Sequence, residues 1–263
     1  MKSRCLLSST LVLCSAACVE AQSELVGFRQ YPQFRTTSGL PGSVMPISDS
    51  AGLGNGGAVS TSIPVAYTLR SKQFVVGGSF TSDSLSLSGL TRNSATDFAN
   101  GSAWALAGFD GKWGSASVGI MFLSGSFDNV INLIYRPPVK GKTAFAVGVQ
   151  DLIGDGGASG DAIDAVTNES SRSLFAVATH PLKETVYVTA GIGTNRFNQG
   201  FIGASWNATR EISLTLEHDG FNFNGGLIWH PRPLKIGTQE VHPAFQLGTI
   251  RGKYLFFGLA FGF

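Results

Sequence analysis

Apolar side chains recur at every second position through much of this chain. In 143–150, Phe145, Val147 and Val149 share one face, and Ala144, Ala146 and Gly148 share the other. In 185–192, Val186, Val188, Ala190 and Ile192 oppose Tyr187, Thr189 and Gly191. In 211–217, Ile212, Leu214 and Leu216 oppose Ser213, Thr215 and Glu217. Ala116, Val118, Ile120 and Phe122 alternate with Ser115, Ser117, Gly119 and Met121. A period of two is the strand signature. Amphipathic patterns of helix length are nearly absent. A soluble sandwich points its large apolar groups inward and its charges outward. Here the second face is mostly Gly, Ala, Ser and Thr, as in the crowded interior of a small barrel. The apolar face then meets lipid, which excludes charge.

The pattern predicts strands near 73–82, 102–110, 113–123, 128–136, 142–151, 171–180, 184–193, 200–207, 210–218, 222–230, 241–248 and 253–263. That is an even count, as a closed single-chain barrel of bacterial type needs. A further hairpin using Ile63–Arg70 and Leu85–Arg92 would raise the count from 12 to 14 with parity kept. With both ends periplasmic, the long connections 83–101 and 152–170 fall outside. The tight ones near 111–112, 181–183 and 208–209 fall inside, and 231–240 is a long periplasmic turn. Trp104, Trp113, Trp206, Trp229 and Tyr135 fall near strand ends, where interfacial girdles form. The chain stops on Tyr254–Phe263, with Leu255, Phe257, Leu259, Phe261 and Phe263 on one side. This end resembles the assembly signal of bacterial outer-membrane barrels at Gly258, Phe261 and Phe263. Phe256 departs from that pattern, which favours a polar residue there.

Composition agrees with a barrel. Charged residues are 14% of the 263, where about 25% is usual in soluble domains. A net charge of +2 offers no field to gather nucleic acid. Lys2 and Arg4 precede an uncharged apolar stretch, Cys5 to Val19, and Val19-Glu-Ala21 is a small-x-small site. Residues 1–21 therefore read as a cleaved secretory signal peptide. All 3 cysteines, Cys5, Cys14 and Cys18, lie within it, so the mature chain has no thiol or disulfide chemistry. Residues 22–61 are rich in Ser, Gly, Thr and Pro, and form a flexible lead or a segment folded into the lumen. Residues 62–263 form the barrel.

Candidate chemistry is sparse. Gly52-Leu-Gly54-Asn-Gly-Gly57 satisfies G-x-G-x-x-G, but lacks the strand before and helix after that a dinucleotide site needs. His180, His230 and His242 each precede proline, which places them at strand ends rather than in a metal site. Asp155, Asp161, Asp164 and Glu169 make 152–170 acidic without a calcium-loop spacing. No G-x-S-x-G elbow supports a Ser/His/acid site with His218. The expectation is a non-enzyme with no cofactor and no metal.

Three pieces in order resemble the YjbH-type outer-membrane proteins linked to exopolysaccharide production. They are Ile63-Pro-Val-Ala66, Ala146-Val-Gly-Val-Gln-Asp-Leu-Ile-Gly154 and Leu216-Glu-His-Asp-Gly-Phe-Asn-Phe-Asn-Gly-Gly-Leu227. Members of that family are usually much longer, so this chain corresponds to one barrel unit. The resemblance implies an accessory to exopolysaccharide export or surface assembly. Its partners would be outer-membrane lipid, the barrel assembly machinery and a polysaccharide. Candidate ligand-binding groups in the lumen are then Arg136, Asp151, Glu217, Asp219, Asn222 and Asn224. Carboxylates and amides hydrogen-bond sugar hydroxyls, and Arg136 suits an acidic sugar. A small diffusion porin, or a structural or adhesive barrel working through its outer loops, is the alternative.

Overall fold

The computed structural model describes residues 39–48, 52–53, 57–81, 100–123, 129–154, 172–220, 222–250 and 254–263. The signal peptide, Leu85–Arg92, the acidic residues 155–169 and the centre of the G-x-G-x-x-G stretch lie outside them. In chain order the strands are β1 (Ile47–Ser48), β2 (Gly52–Leu53), β3 (Phe74–Thr81), β4 (Asn100–Gly111), β5 (Gly114–Leu123), β6 (Asn129–Arg136), β7 (Ala144–Gln150) and β8 (Ser173–Lys183). They continue with β9 (Val186–Gly193), β10 (Phe201–Asn207), β11 (Ile212–His218), β12 (Phe223–Trp229), β13 (Leu234–Ile236), β14 (Gln239–Ile250) and β15 (Tyr254–Gly262).

Each long strand pairs antiparallel with its chain neighbour, and the last closes on the first through β15 and β3. Phe74 and Phe263 exchange both backbone N–H···O bonds at that seam, at 3.2 and 2.8 Å. The sheet has 13 strands, of which three-residue β13 pairs only with β14, leaving a closed barrel of 12 staves. Closure gives each of the 12 staves a partner on both sides. The 231–240 stretch is therefore a small exposed hairpin, β13 against the start of β14, rather than a plain turn.

The alternation sets the two faces. Val118, Ile120, Phe145, Val147, Leu216, Leu255, Phe257 and Leu259 point outward, while Ser117, Ala146, Thr215, Gly258 and Ala260 point inward. Trp113, Trp206, Trp229 and Tyr135 are exposed and gather at the end that holds the tight turns and Phe263. Trp104 does not join them. It is 4% exposed and faces inward, its ring lying where a Gly77 Cβ would stand. Phe256 also turns inward, over Gly248, which accounts for an aromatic where a polar residue is usual. Two of the His-Pro pairs sit within strands rather than at their ends. Pro181 adjoins the irregularity in β8, and Pro243 is accommodated in β14 opposite Phe261.

The interior is filled by the chain itself. Residues 57–69 run through the lumen almost wholly buried, with 39–47 beside them. Ile63–Arg70 is thus a luminal segment and not a strand, so the 14-strand count does not hold. The barrel wall begins at Phe74, not at residue 62. Of the two fates open to the 22–61 lead, its described residues take the luminal one. Leu40, Val44, Ile47, Val59, Ile63, Val65, Tyr67 and Leu69 join Trp104, Leu106, Met121, Ile134 and Phe175 in one apolar core. Glycines on the wall make room. A Cβ on Gly119 would stand 2.1 Å from the Gly39 oxygen, and one on Gly108 would stand 2.3 Å from the Arg70 oxygen. Only a residue without a Cβ admits a backbone this close.

Candidate functional site in the barrel lumen

A segment crossing a barrel has no neighbouring strand to satisfy its backbone, and buried N–H and C=O groups without partners are costly. Inward side chains take that role. Asn207 at the turn end donates to the Gly57 carbonyl at 3.1 Å, and Ser205 accepts from the Val59 N–H at 3.3 Å. Higher in the lumen, Glu217 Oε1 accepts from the Thr61 N–H at 2.7 Å. Its Oε2 accepts from the Ser62 N–H at 2.7 Å and from Ser62 Oγ at 2.8 Å. The segment turns there and returns. The Ala66 N–H donates to Thr179 Oγ1 at 2.9 Å, and the Leu69 N–H donates to Ser117 Oγ at 2.8 Å.

The turn at Ser62 is the most densely bonded point. Asn224 Nδ2 donates to both Ser62 Oγ and Asp219 Oδ2, each at 2.8 Å. Arg196, on a 3-10 turn at Asn195–Phe197, donates to the Ser62 carbonyl at 2.9 Å and to Gln150 Oε1 at 3.0 Å. Gln246 donates to Thr61 Oγ1 at 3.1 Å, and Thr61 Oγ1 meets Thr215 Oγ1 at 2.8 Å. Arg196 is buried, and burial lowers its guanidinium to about 10 against the raising influence of the Asp219 and Glu217 carboxylates. It stays protonated at neutral pH. One buried cation thus stands among two carboxylates whose lone pairs are largely occupied, the condition under which buried charge is tolerated.

Three of the sequence candidates, Glu217, Asp219 and Asn224, therefore meet in one place. Asn222 contributes by its backbone, its N–H donating to Asp219 Oδ1 at 2.8 Å and its carbonyl accepting from the Asp219 N–H at 3.1 Å. Of the other two, Asp151 directly follows Gln150, whose side chain Arg196 holds, and Arg136 lies farther off. Asp151 caps a local turn, with a φ of 60° and Oδ1 accepting from the Gly154 N–H at 2.9 Å. Arg136 is at the turn end, 5.4 Å over the Tyr67 ring, on a cavity of about 450 Å³ shared with Thr68, Arg70 and Asp110. Sequence reasoning did not single out Arg196, Ser62, Gln150 or Gln246. For Gln246 a signal existed: it shares parity with Ala244 and Gly248 on the small-residue face. Among the described residues no group of three or more His, Cys, Asp or Glu side chains is placed to hold a metal.

No family model matches the chain, and no curated protein matches it. Among solved structures it is similar to a KdgM porin at 6% identity, covering 73% of this chain and 98% of that one, with a TM-score of 0.44. It is also similar to a KdgM porin in complex with disordered oligogalacturonate, at 5% identity, the same coverage of 73% and 98%, and a TM-score of 0.43. The barrel assignment rests on the strand pairing itself.

Proposed function

We propose that this chain is a non-enzymatic, porin-like barrel of a Gram-negative outer membrane, held closed by its own residues 39–47 and 57–69. The carrying observation is the Glu217 carboxylate, 2% exposed, both of whose oxygens are bonded to Thr61 and Ser62. A wall built for permeating solute presents such groups to water; here they hold the chain. Export by residues 1–21 and delivery to the barrel assembly machinery through Gly258, Phe261 and Phe263 belong to the same reading. The C-terminal strand is half of the closing seam, so an error there leaves the barrel open. In planar bilayers the intact protein should conduct poorly, and deletion of 39–70 should open steady channels. Steady conductance by the intact protein, or a deletion that stays closed, would overturn the proposal.

An accessory role in exopolysaccharide export is a second reading, and one observation favours it. Two of the three segments that carry the YjbH-type resemblance supply side chains to the cluster at Ser62, and the third begins beside it. Gln150 lies in one and Glu217, Asp219 and Asn224 in another; Ser62, beside Ile63, adjoins the third, and Arg196 links them. A deletion strain should then lose exopolysaccharide output. Restoration by the wild type but not by Glu217→Ala would support the reading, and undiminished output in the deletion strain would sink it.

A further inference from the structure

The outer wall is not uniform. Between β6 and β9 it holds an apolar groove of about 350 Å³, within the range of ligand clefts at roughly 300–1,000 Å³. Tyr135, Phe145 and Val147 form its banks, and Ala176, Ala178 and Ala190 line its floor. Register explains the shape. Phe145 lies opposite Ala178, Val147 opposite Ala176, and Ala178 opposite Ala190, so large outward side chains end where small ones begin. The groove runs to the turn end at Pro137. The connection leaving Pro137 carries exposed Lys140 and Lys142, and β8, which supplies the floor, ends on exposed Lys183. Glu184 follows Lys183 in the chain. None of the three lysines forms an ion pair among the described residues.

We propose that this groove is a binding site for one anionic phospholipid, an acyl chain lying on the alanine floor and the phosphate at Lys140, Lys142 and Lys183. This rests on the membrane-barrel reading above. Charge complementarity selects the occupant. The floor and banks offer hydrocarbon, whereas the connection after Pro137 and the end of β8, both on the turn side where the exposed aromatics gather, carry three exposed cations toward the level where headgroups lie. A soluble acidic partner would match the lysines but leave the apolar length of the groove uncovered.

The test is native mass spectrometry of the full chain in detergent, with phosphatidylglycerol or phosphatidylcholine of identical acyl chains. One phosphatidylglycerol per barrel should survive activation that strips phosphatidylcholine. Lys140→Gln/Lys142→Gln/Lys183→Gln should weaken that retention at least about tenfold. Ala178→Phe, which fills the floor with the lysines intact, should abolish it too. Equal retention of the two lipids, or unchanged retention in either variant, would overturn the site. Each protein is also run unboiled and boiled on a mildly denaturing gel. A wild type that stays soluble without detergent and shows no heat shift defeats the membrane reading itself. A normal heat shift without lipid preference defeats only the lipid site.

Discussion

The two sides of the lumen hold the same internal segment by different balances of packing and hydrogen bonding. Along β3–β6 the wall offers mainly Trp104, Leu106, Met121 and Ile134, in one apolar core with Leu40, Leu69 and their neighbours, with polar holds only where Ser117 meets the Leu69 N–H and Ser115 meets Thr68. Along β10–β14 it offers Ser205, Asn207, Thr215, Glu217, Asn224 and Gln246, and bonds the segment's backbone and hydroxyls. Burial is non-directional, so apolar packing gives the segment a reason to be inside without setting its register. Hydrogen bonds to named backbone groups do set it, because a slip by one residue would leave buried donors unpaired. The comparison teaches that occupancy of the lumen and register within it are separable properties.

Breaking the polar side at its centre should have the largest effect. Glu217→Ala leaves the Thr61 and Ser62 N–H groups and a buried Arg196 charge under-compensated, a loss of roughly 3–5 kcal/mol. Denaturant titration followed by heat-modifiability should show it, while Glu217→Gln, which keeps an acceptor, should lose clearly less. On the apolar side, Leu69→Ala removes a fully buried side chain and should cost about 2–4 kcal/mol. That cost should come with the register preserved, read as unchanged hydrogen-exchange protection of the Thr61 and Ser62 amides that donate to Glu217.

His230 is buried just past β12, its Nε2 has no hydrogen-bond partner among the described residues, and burial lowers its imidazole from 6.5 to about 4. The unfolded chain therefore binds the proton more readily between those values, and stability is lost as pH falls through that window. The loss should approach about 3 kcal/mol at pH 4 and vanish above pH 7. Denaturation midpoints at pH 7.5 and 4.5 check it, and His230→Phe should flatten the difference.

The smallest effect separates occupancy from folding. Gly119→Ala places a Cβ 2.1 Å from the Gly39 oxygen, so the first luminal stretch must shift while β5 keeps its ladder. The cost should be about 1–3 kcal/mol. Bilayer conductance should rise without loss of the heat-shifted band. Unaltered conductance would mean that this stretch takes no part in closure.

Much of the wall was legible in the chain. Alternation in β5, β7, β9 and β11 placed their faces, and the expected staves fall within a few residues of those observed. Three of the four tryptophans and Tyr135 take girdle positions, and the terminal strand closes the barrel. Each of these follows from local geometry: a pleated strand divides its residues between two faces whatever lies beyond them. That Glu217, Asp219 and Asn224 face the lumen together was legible as well, because they lie within one hairpin where parity and turn chemistry are local.

The partner of that hairpin was not legible. Residues 57–70 carry no period of two, and their backbone is satisfied by side chains more than 100 residues away for the bonds from Ala66 to Thr179 and Thr61 to Glu217. No rule of strand or turn chemistry assigns such bonds, since they arise only after the barrel closes. Trp104 and Phe256 turn inward for the same reason: Gly77 and Gly248 clear space for their rings only once the strands are in register. The chain by itself determined a closed wall with an apolar outer surface, because a period of two acts over a few residues. What fills that wall was decided by the tertiary structure, because filling depends on distances between residues that only closure brings together.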